Sequence, residues 1–157
     1  MNRAETVTSL ISAGFYRGQW DLDDDEYGPI SADFVFEAWD AWIESLPGQL
    51  RETREIGGGK SIIVPRWLPE VWDCDNHCWS FGEYLSRCMA VDYVNTGTPR
   101  GNVAAGKLNY APTPDTGHAV CWFIDHTGAA RIFDPGVGEF PVLTDAQLRT
   151  ISAGESV

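Results

Sequence analysis

The fold of this chain is decided by residues 67–81, WLPEVWDCDNHCWSF. Beyond Asp73, apolar and cysteine side chains recur every three or four residues, which is the spacing of one face of an α-helix. The members of this stripe are Cys74, Cys78, Phe81, Leu85 and Cys88. We therefore predict a helix that begins near Asp73, with Cys78 and Cys88 as small buried side chains.

Cys74 differs from the other cysteines because it stands at the predicted helix start. Unpaired backbone N–H groups and the positive end of the helix dipole meet there, and both favour a thiolate over a thiol. A free cysteine has a pKa of about 8.5, and such a position lowers it. The same N–H groups lie where an oxyanion forms during attack on an acyl carbon. Cys74 is therefore the candidate nucleophile.

A base and an orienting acid are predicted from two later segments, GHAVCWFID (117–125) and AARIFD (129–134). Both have strand character, and His126-Thr127-Gly128 forms a turn between them. The turn places His118 directly opposite Asp134 or one position off, with Cβ atoms about 5 Å apart. This distance suits an imidazole–carboxylate hydrogen bond, so His118 is the candidate base and Asp134 the orienting group. A core histidine bonded to a backbone carbonyl is the alternative for His118.

Zinc binding is a rival chemistry for the same residues. The candidate ligands are Cys74, His77 and Cys78 on the helix, completed by Cys121, His118 or His126. The chain has no C-x2-C pair, and His118 and Cys121 fall on opposite faces of one strand. A zinc-stabilised domain is therefore the weaker interpretation.

The rest of the chain has helical patterns first and strand patterns second, which predicts an α+β fold. We expect a single domain over residues 1–157, with a helical part at about 1–92 and an antiparallel sheet part at about 102–142. The predicted elements are helices over 5–13, from Ser31 to Pro47-Gly48 and from Thr144 to about Ile151, and strands over 60–64 and 102–110.

Composition excludes several classes of partner. The 157 residues include 23 Asp and Glu against 11 Lys and Arg, for a formal charge of −12. This sign disfavours nucleic acid and anionic membranes and leaves basic partners open. The first 20 residues contain no apolar run of signal-peptide length, and no later segment approaches a membrane span. We therefore expect a cytoplasmic protein in which the four cysteines are not paired in disulfides.

These segments, with IFDP at 132–135, resemble the papain-like cysteine peptidase domain at the C-terminal end of fungal chimerolectins, which has stand-alone relatives in bacteria and phages. They are similar more loosely to bacterial transglutaminase-like cysteine proteinases. The resemblance covers roughly residues 60–140. It implies a papain-like fold, with helices packed on a small antiparallel sheet, and the roles of nucleophile, base and third member for Cys74, His118 and Asp134.

The resemblance also implies an activating divalent cation, such as calcium, held by acids after the nucleophile. Here Asp75 is present, Asn76 replaces the second acid, and Asp73 stands on the other side. Carboxylate and amide oxygens suit Ca²⁺ better than Mg²⁺, so weak calcium binding at Asp73, Asp75 and Asn76 is expected. The candidates for a side-chain oxyanion donor are Gln19, Gln49 and Asn109.

Together these features predict a cysteine-dependent hydrolase that cleaves peptide bonds through Cys74, His118 and Asp134. Acyl transfer and deamidation are close variants because they use the same thioester. The expected substrate is a protein or peptide, with basic segments favoured by the acidic composition. The alternative from another class is a catalytically inactive binding module, such as a bacterial or phage accessory protein, that keeps the fold.

Overall fold

The computed structural model describes residues 1–15, 20–21, 27–97 and 102–156. The helices are α1 (Arg3–Ser12), α2 (Ala32–Ser45), α3 (Cys74–Thr96) and α4 (Asp145–Leu148), with a short 3-10 helix at Gly48–Leu50. The strands are β1 (Trp20–Asp21), β2 (Tyr27–Gly28), β3 (Arg51–Gly57), β4 (Lys60–Pro65), β5 (Asn102–Val103), β6 (Ala105–Thr113), β7 (Thr116–Ile124), β8 (Ala130–Phe133) and β9 (Ala153–Ser156). None of the helices in these ranges has the length and apolar character needed to span a membrane.

The main sheet has five strands in the order β1-β9-β6-β7-β8. Its neighbours run antiparallel, except β1 and β9, which are parallel. Outside it, β2 and β5 form a parallel pair, and β3 and β4 form an antiparallel hairpin. The described part of the chain is thus α+β, as predicted, with helices against a mainly antiparallel sheet.

Four strands have no counterpart in the layout predicted from the sequence, namely the two-residue strands β1 and β2 and the longer β3 and β9. β3 has mostly exposed or half-buried side chains, so no apolar alternation marks it in the sequence. β9 pairs with β6 at the end of the chain, so the sheet part extends to residue 156 instead of ending near 142. The predicted helical part also contains the β3–β4 hairpin. β9 depends on pairing with strands that are distant in the sequence, whereas β3 is paired with its neighbour β4 in a hairpin without an apolar pattern of its own.

The predicted helices are confirmed, with shifts at their ends. α1 begins at Arg3, two residues before the predicted start, because the Asn2 side chain accepts a hydrogen bond from the Glu5 N–H at 3.0 Å. The Ser31 hydroxyl caps α2 in the same way through the Phe34 N–H, also at 3.0 Å. α4 ends at Leu148, short of the predicted end near Ile151.

Helices cover both faces of the main sheet. On one face, Cys121 and Phe123 of β7 belong to a core shared with α2 and α3. On the other face, Val120 and Trp122 pack in a second core that includes Leu10 of α1. Side chains of a strand alternate between the faces of its sheet, and here both faces are buried. β7 is therefore a rigid support for the residue near its start, His118.

α3 follows the predicted stripe only over its first half. Cys78, Phe81 and Leu85 are fully buried or nearly so, as predicted. Cys88 is half-buried, which corrects the prediction of a core side chain. A helix of 23 residues is about 35 Å long, and its last turns lie beyond the core, where Val94 is 80% exposed.

Candidate active site

Cys74 is the first residue of α3, and its side chain is half-buried. The preceding residue, Asp73, has an extended backbone, and its N–H donates to the Asn76 side-chain oxygen at 3.2 Å. The helix is therefore capped directly before the thiol. This places Cys74 beside the unpaired N–H groups and the positive dipole end, as the sequence predicts.

β7 and β8 bring His118 and Asp134 together. The ladder between these strands ends with the pair Cys121 and Phe133, and Asp134 follows β8 directly. The Nε2 of His118 and the Oδ2 of Asp134 are 2.7 Å apart. The two side chains are thus in hydrogen-bond contact, although Asp134 lies just beyond the paired part of β8 and is not opposed to His118 in the ladder.

A tight turn after β8 fixes the Asp134 carboxylate. Its Oδ1 accepts a hydrogen bond from the Gly136 N–H at 2.9 Å, which leaves Oδ2 for His118. The Gly138 N–H donates to the Asp134 carbonyl at 2.8 Å and closes the turn. Since Asp134 precedes Pro135, its local Asx-type turn follows from the residue types.

Trp39 of α2 holds this turn from the core side. Its indole Nε1–H donates to the Pro135 carbonyl at 2.9 Å. Gly138 has φ +71°, and a Cβ there would lie within 2.8 Å of three Trp39 ring atoms, so only glycine fits. The sequence predicts Trp39 as a core residue but carries no signal that links it to a turn almost a hundred residues later.

Opposing effects set the pKa of His118. Burial lowers the pKa because it disfavours the charged imidazolium, whereas the hydrogen bonds to Asp134 and Cys74 and their negative charges raise it. The partners prevail and raise the pKa of His118 to about 9. Because Nε2 is bonded to Asp134, Nδ1 is the nitrogen left for the Cys74 thiol. At neutral pH His118 is therefore protonated, and its positive charge lies in the cleft that also holds Cys74.

Tyr110 of β6 is a neighbour of His118 that the sequence does not reveal. The two residues are paired across β6 and β7, and their rings meet edge to face with centroids 5.7 Å apart. Tyr110 is 8% exposed, and burial, together with the charge of Asp134, raises the pKa of its hydroxyl. Its ring restricts the orientation of the imidazole.

Cys74 and His118 open onto a cleft of about 550 Å³. Asn109 lines this cleft, whereas Gln49 is exposed on the 3-10 helix and is not part of its lining. Gln19 lies outside the described residues. Of the two candidate oxyanion donors that the structure describes, Asn109 is therefore the one beside the thiol.

Two of the three residues expected to bind calcium, Asp75 and Asn76, are engaged with protein groups, whereas the buried Oδ1 of Asp73 makes no hydrogen bond with the described residues. Lys107 Nζ lies 3.4 Å from the Asp75 carboxylate, and Asn76 accepts from the Asp73 N–H. Across the described ranges, no three His, Cys, Asp or Glu side chains are grouped so that they could hold a metal ion. This donor set does not fit a calcium site, so calcium binding stays a prediction and no reaction step is assigned to a metal.

The candidate zinc ligands do not form a metal-binding group of three or more in the described residues either, although Cys78 and Cys121 are in contact. Cys121 packs in the core, with its Sγ 3.8 Å from the Cys78 carbonyl. Burial raises the pKa of the Cys78 thiol well above its ordinary value, and the contact with Cys121 adds to this effect. His77 is 1% exposed and packs edge to face against Trp72, with ring centroids 5.3 Å apart. Its burial lowers its pKa, so it stays neutral.

Two solved structures have a similar fold, although no protein-family model and no curated protein matches the sequence. One is the Polyporus squamosus lectin bound to the human-type influenza-binding epitope Neu5Aca2-6Galb1-4GlcNAc, with a TM-score of 0.66 at 18% identity over 97% of this chain and 48% of that chain. The other is a PSL1a-E64 complex, with a TM-score of 0.64 at 15% identity over 99% of this chain and 50% of that one. This chain thus spans about half the length of each, and the likeness shows the fold alone.

Proposed function

We propose that this chain is a cysteine-dependent hydrolase with a papain-like fold that cleaves peptide bonds through Cys74, His118 and Asp134. One observation carries the proposal: the imidazole of His118 is hydrogen-bonded to the Asp134 carboxylate and lines the same cleft as the helix-start thiol of Cys74, which helps to raise its pKa. A nucleophile, a base and an orienting acid in this order form the general constellation of nucleophilic acyl transfer.

In the proposed reaction, the Cys74 sulfur attacks the carbonyl carbon of the scissile peptide bond. A C–S bond forms and the carbonyl oxygen becomes an oxyanion, which the N–H groups at the start of α3 stabilise. The side-chain amide of Asn109, which lines the same cleft, is the candidate second donor. Removing one such donor from a hydrolase costs about 10²–10³ in kcat.

His118 then acts first as an acid and afterwards as a base. It gives its proton to the leaving amine as the C–N bond breaks, which leaves a thioester on Cys74. Water, deprotonated by the neutral imidazole, attacks the thioester and releases the carboxylate product and the thiol. An amine in place of water gives acyl transfer, and a glutamine side chain as substrate gives deamidation.

The cleft favours a basic peptide. Asp73, Asp75 and Asp115 contribute to its lining, and no Lys or Arg is among the described residues that line it. The formal charge of −12 adds an attractive field for a cationic substrate. Protein or peptide segments that contain Lys or Arg are therefore the proposed substrate class.

Selective alkylation tests the nucleophile. We expect iodoacetamide near pH 7 to modify Cys74 quickly in the native protein, while the buried Cys78 and Cys121 and the half-buried Cys88 react slowly. Mass spectrometry of the modified peptides measures the four rates. Labelling of Cys78 or Cys121 as fast as that of Cys74 would contradict a special thiol.

Turnover tests the reaction. Hydrolysis of basic fluorogenic peptides should disappear in Cys74→Ala and persist in Cys88→Ala, a matched control on the same helix. E64, whose epoxide alkylates thiolates, should block the wild-type protein and attach to Cys74. A folded protein whose Cys74 labels slowly and that cleaves no peptide would instead support the binding-module alternative.

A further inference from the structure

A buried lysine occupies the electrostatic position that the sequence resemblance assigns to a divalent cation. Asp75 follows the nucleophile directly, and its carboxylate is 3.4 Å from the Lys107 ammonium. The lysine side chain is only 10% exposed, whereas that of Asp75 is 56% exposed. A lysine this deeply buried normally requires a partner, and Asp75 is one.

Lys107 reaches α3 from the neighbouring sheet. It lies on β6 opposite Cys121, and its ammonium also sits over the Trp79 ring, 5.3 Å from the centroid. Asp75 and Trp79 are four residues apart, so they share one face of the first turns of α3. The lysine therefore joins the helix start to the strand that also carries Asn109 and Tyr110.

Apart from the His118 imidazolium, the other charged groups that line this cleft are carboxylates. Asp73 stands on the other side of Cys74, and Asp115 lines the same cleft. Without a cation, the carboxylate of Asp75 would add to this negative field beside a sulfur that must attack as an anion. An ammonium in contact with Asp75 offsets one of these charges.

We propose that Lys107 is the resident cation of the site, so that the chain needs no divalent metal for its thiol to react. Lys107 is then a positioning residue: it neutralises Asp75 and ties the start of α3 to β6, which keeps Cys74 in place against His118. This inference rests on the proposed function, because it concerns the reactivity of Cys74.

The experiment measures the rate of Cys74 modification by iodoacetamide at one pH, with a chelator and with millimolar calcium. For the wild-type protein we expect the same rate in both buffers. Lys107→Met should lower the rate about 2- to 5-fold, the range of a partly exposed ion pair. Lys107→Arg, which keeps the charge, should restore it. Lys60→Met, at an exposed lysine of β4, is the matched control and should change nothing.

Several outcomes would overturn the inference. One is a wild-type rate that falls in chelator and returns with calcium, and another is a folded Lys107→Met that reacts like the wild type. Equal slowing of Lys107→Arg and Lys107→Met would assign the effect to packing rather than charge. The inference would also be contradicted if calorimetry detected calcium binding to the wild type but not to Asp75→Asn, because these carboxylates would then bind a metal.

Two controls keep the result interpretable. Thermal melts establish that the variants fold, and if Lys107→Met does not, the chelator experiment on the wild type decides by itself. Slow labelling of Cys74 in the wild type would contradict both the proposed function and this inference. If Cys74 is labelled quickly in the wild type and at the same rate in Lys107→Met, the inference is overturned and the proposed function remains intact.

Discussion

The two ends of the β7–β8 hairpin each hold a buried or half-buried aspartate, with opposite consequences. At the turn end, Asp125 accepts hydrogen bonds from the N–H groups of Thr127 at 2.8 Å and Ala129 at 3.1 Å, and from the Arg131 guanidinium. At the open end, Asp134 accepts from the Gly136 N–H and bonds the imidazole of His118.

The difference lies in the partners. Burial would raise the pKa of Asp125, but its hydrogen bonds from Thr127 and Arg131 outweigh burial and hold the pKa well below its ordinary value. All of these donors keep their protons at neutral pH, so the turn end is a closed structural network. His118 can gain or lose its proton and faces a thiol in a cleft. At the open end, the Asp134 carboxylate can support catalysis because its partner, His118, can gain or lose a proton.

The largest expected effect comes from removing the imidazole at the open end. His118→Gln should lower peptide hydrolysis about 10²- to 10⁴-fold, the usual contribution of a general acid–base. Initial rates on a basic peptide measure this loss. His126→Gln, at an exposed histidine of the turn end, is the matched control and should keep the wild-type rate. Similar losses in both variants would erase the contrast between the two ends.

Asp134→Asn should have the next largest effect. Without the anionic acceptor, the pKa of His118 should fall from about 9, and turnover should drop about 10- to 10³-fold, less than in a serine protease triad. The pH profile of Cys74 alkylation should move upward, since the imidazolium that stabilises the thiolate is weakened. An unmoved profile with a changed melting temperature would mean that Asp134 only supports the turn.

Asp125→Ala should affect stability and leave reactivity in place. Losing this acceptor removes its hydrogen bonds from Thr127, Ala129 and the charged Arg131. The loss should cost about 1–3 kcal/mol of unfolding free energy, measured by urea denaturation. Six residues of strand, about 20 Å, separate it from His118, so Cys74 alkylation should keep its rate. A slowed thiol would show that the two ends are coupled.

The Asp125 carboxylate also makes the stability of the folded protein depend on pH. The pKa of Asp125 is lower in the folded than in the unfolded protein, so its stabilisation is complete above about pH 4. That stabilisation is lost as the pH falls below 4 toward the folded value. Asp125→Ala should therefore lose less stability than the wild type on acidification, and equal losses would contradict this assignment.

The smallest effect is expected at His77, a histidine near the open end without a carboxylate bond. Neither of its ring nitrogens makes a hydrogen bond of good geometry, and the ring is enclosed by tryptophans. His77→Phe should change stability by less than about 1 kcal/mol, because it replaces an unsatisfied buried polar ring with an apolar one. Cys74 alkylation should stay within about twofold. A large loss of rate would place His77 in the site.

Local patterns in the sequence are sufficient for the parts of the site that depend on one element or one turn. The apolar stripe and Asp73 place Cys74 at the start of a helix. Two apolar segments around a short turn bring His118 near Asp134. Helical spacing, capping and hairpin register are short-range rules, so they can be applied without knowledge of the rest of the chain.

Contacts between distant segments were decided only by the tertiary structure. Trp39 supports the turn after Asp134 from 96 residues away, and Lys107 meets Asp75 across 32 residues. The edge-to-face contact of Tyr110 with His118 depends on how β6 pairs with β7. Asp134 reaches His118 from just beyond β8 because the turn after it engages one carboxylate oxygen and leaves the other for the imidazole. Each of these depends on how helices and strands pack against one another, and no periodicity along the chain encodes that arrangement.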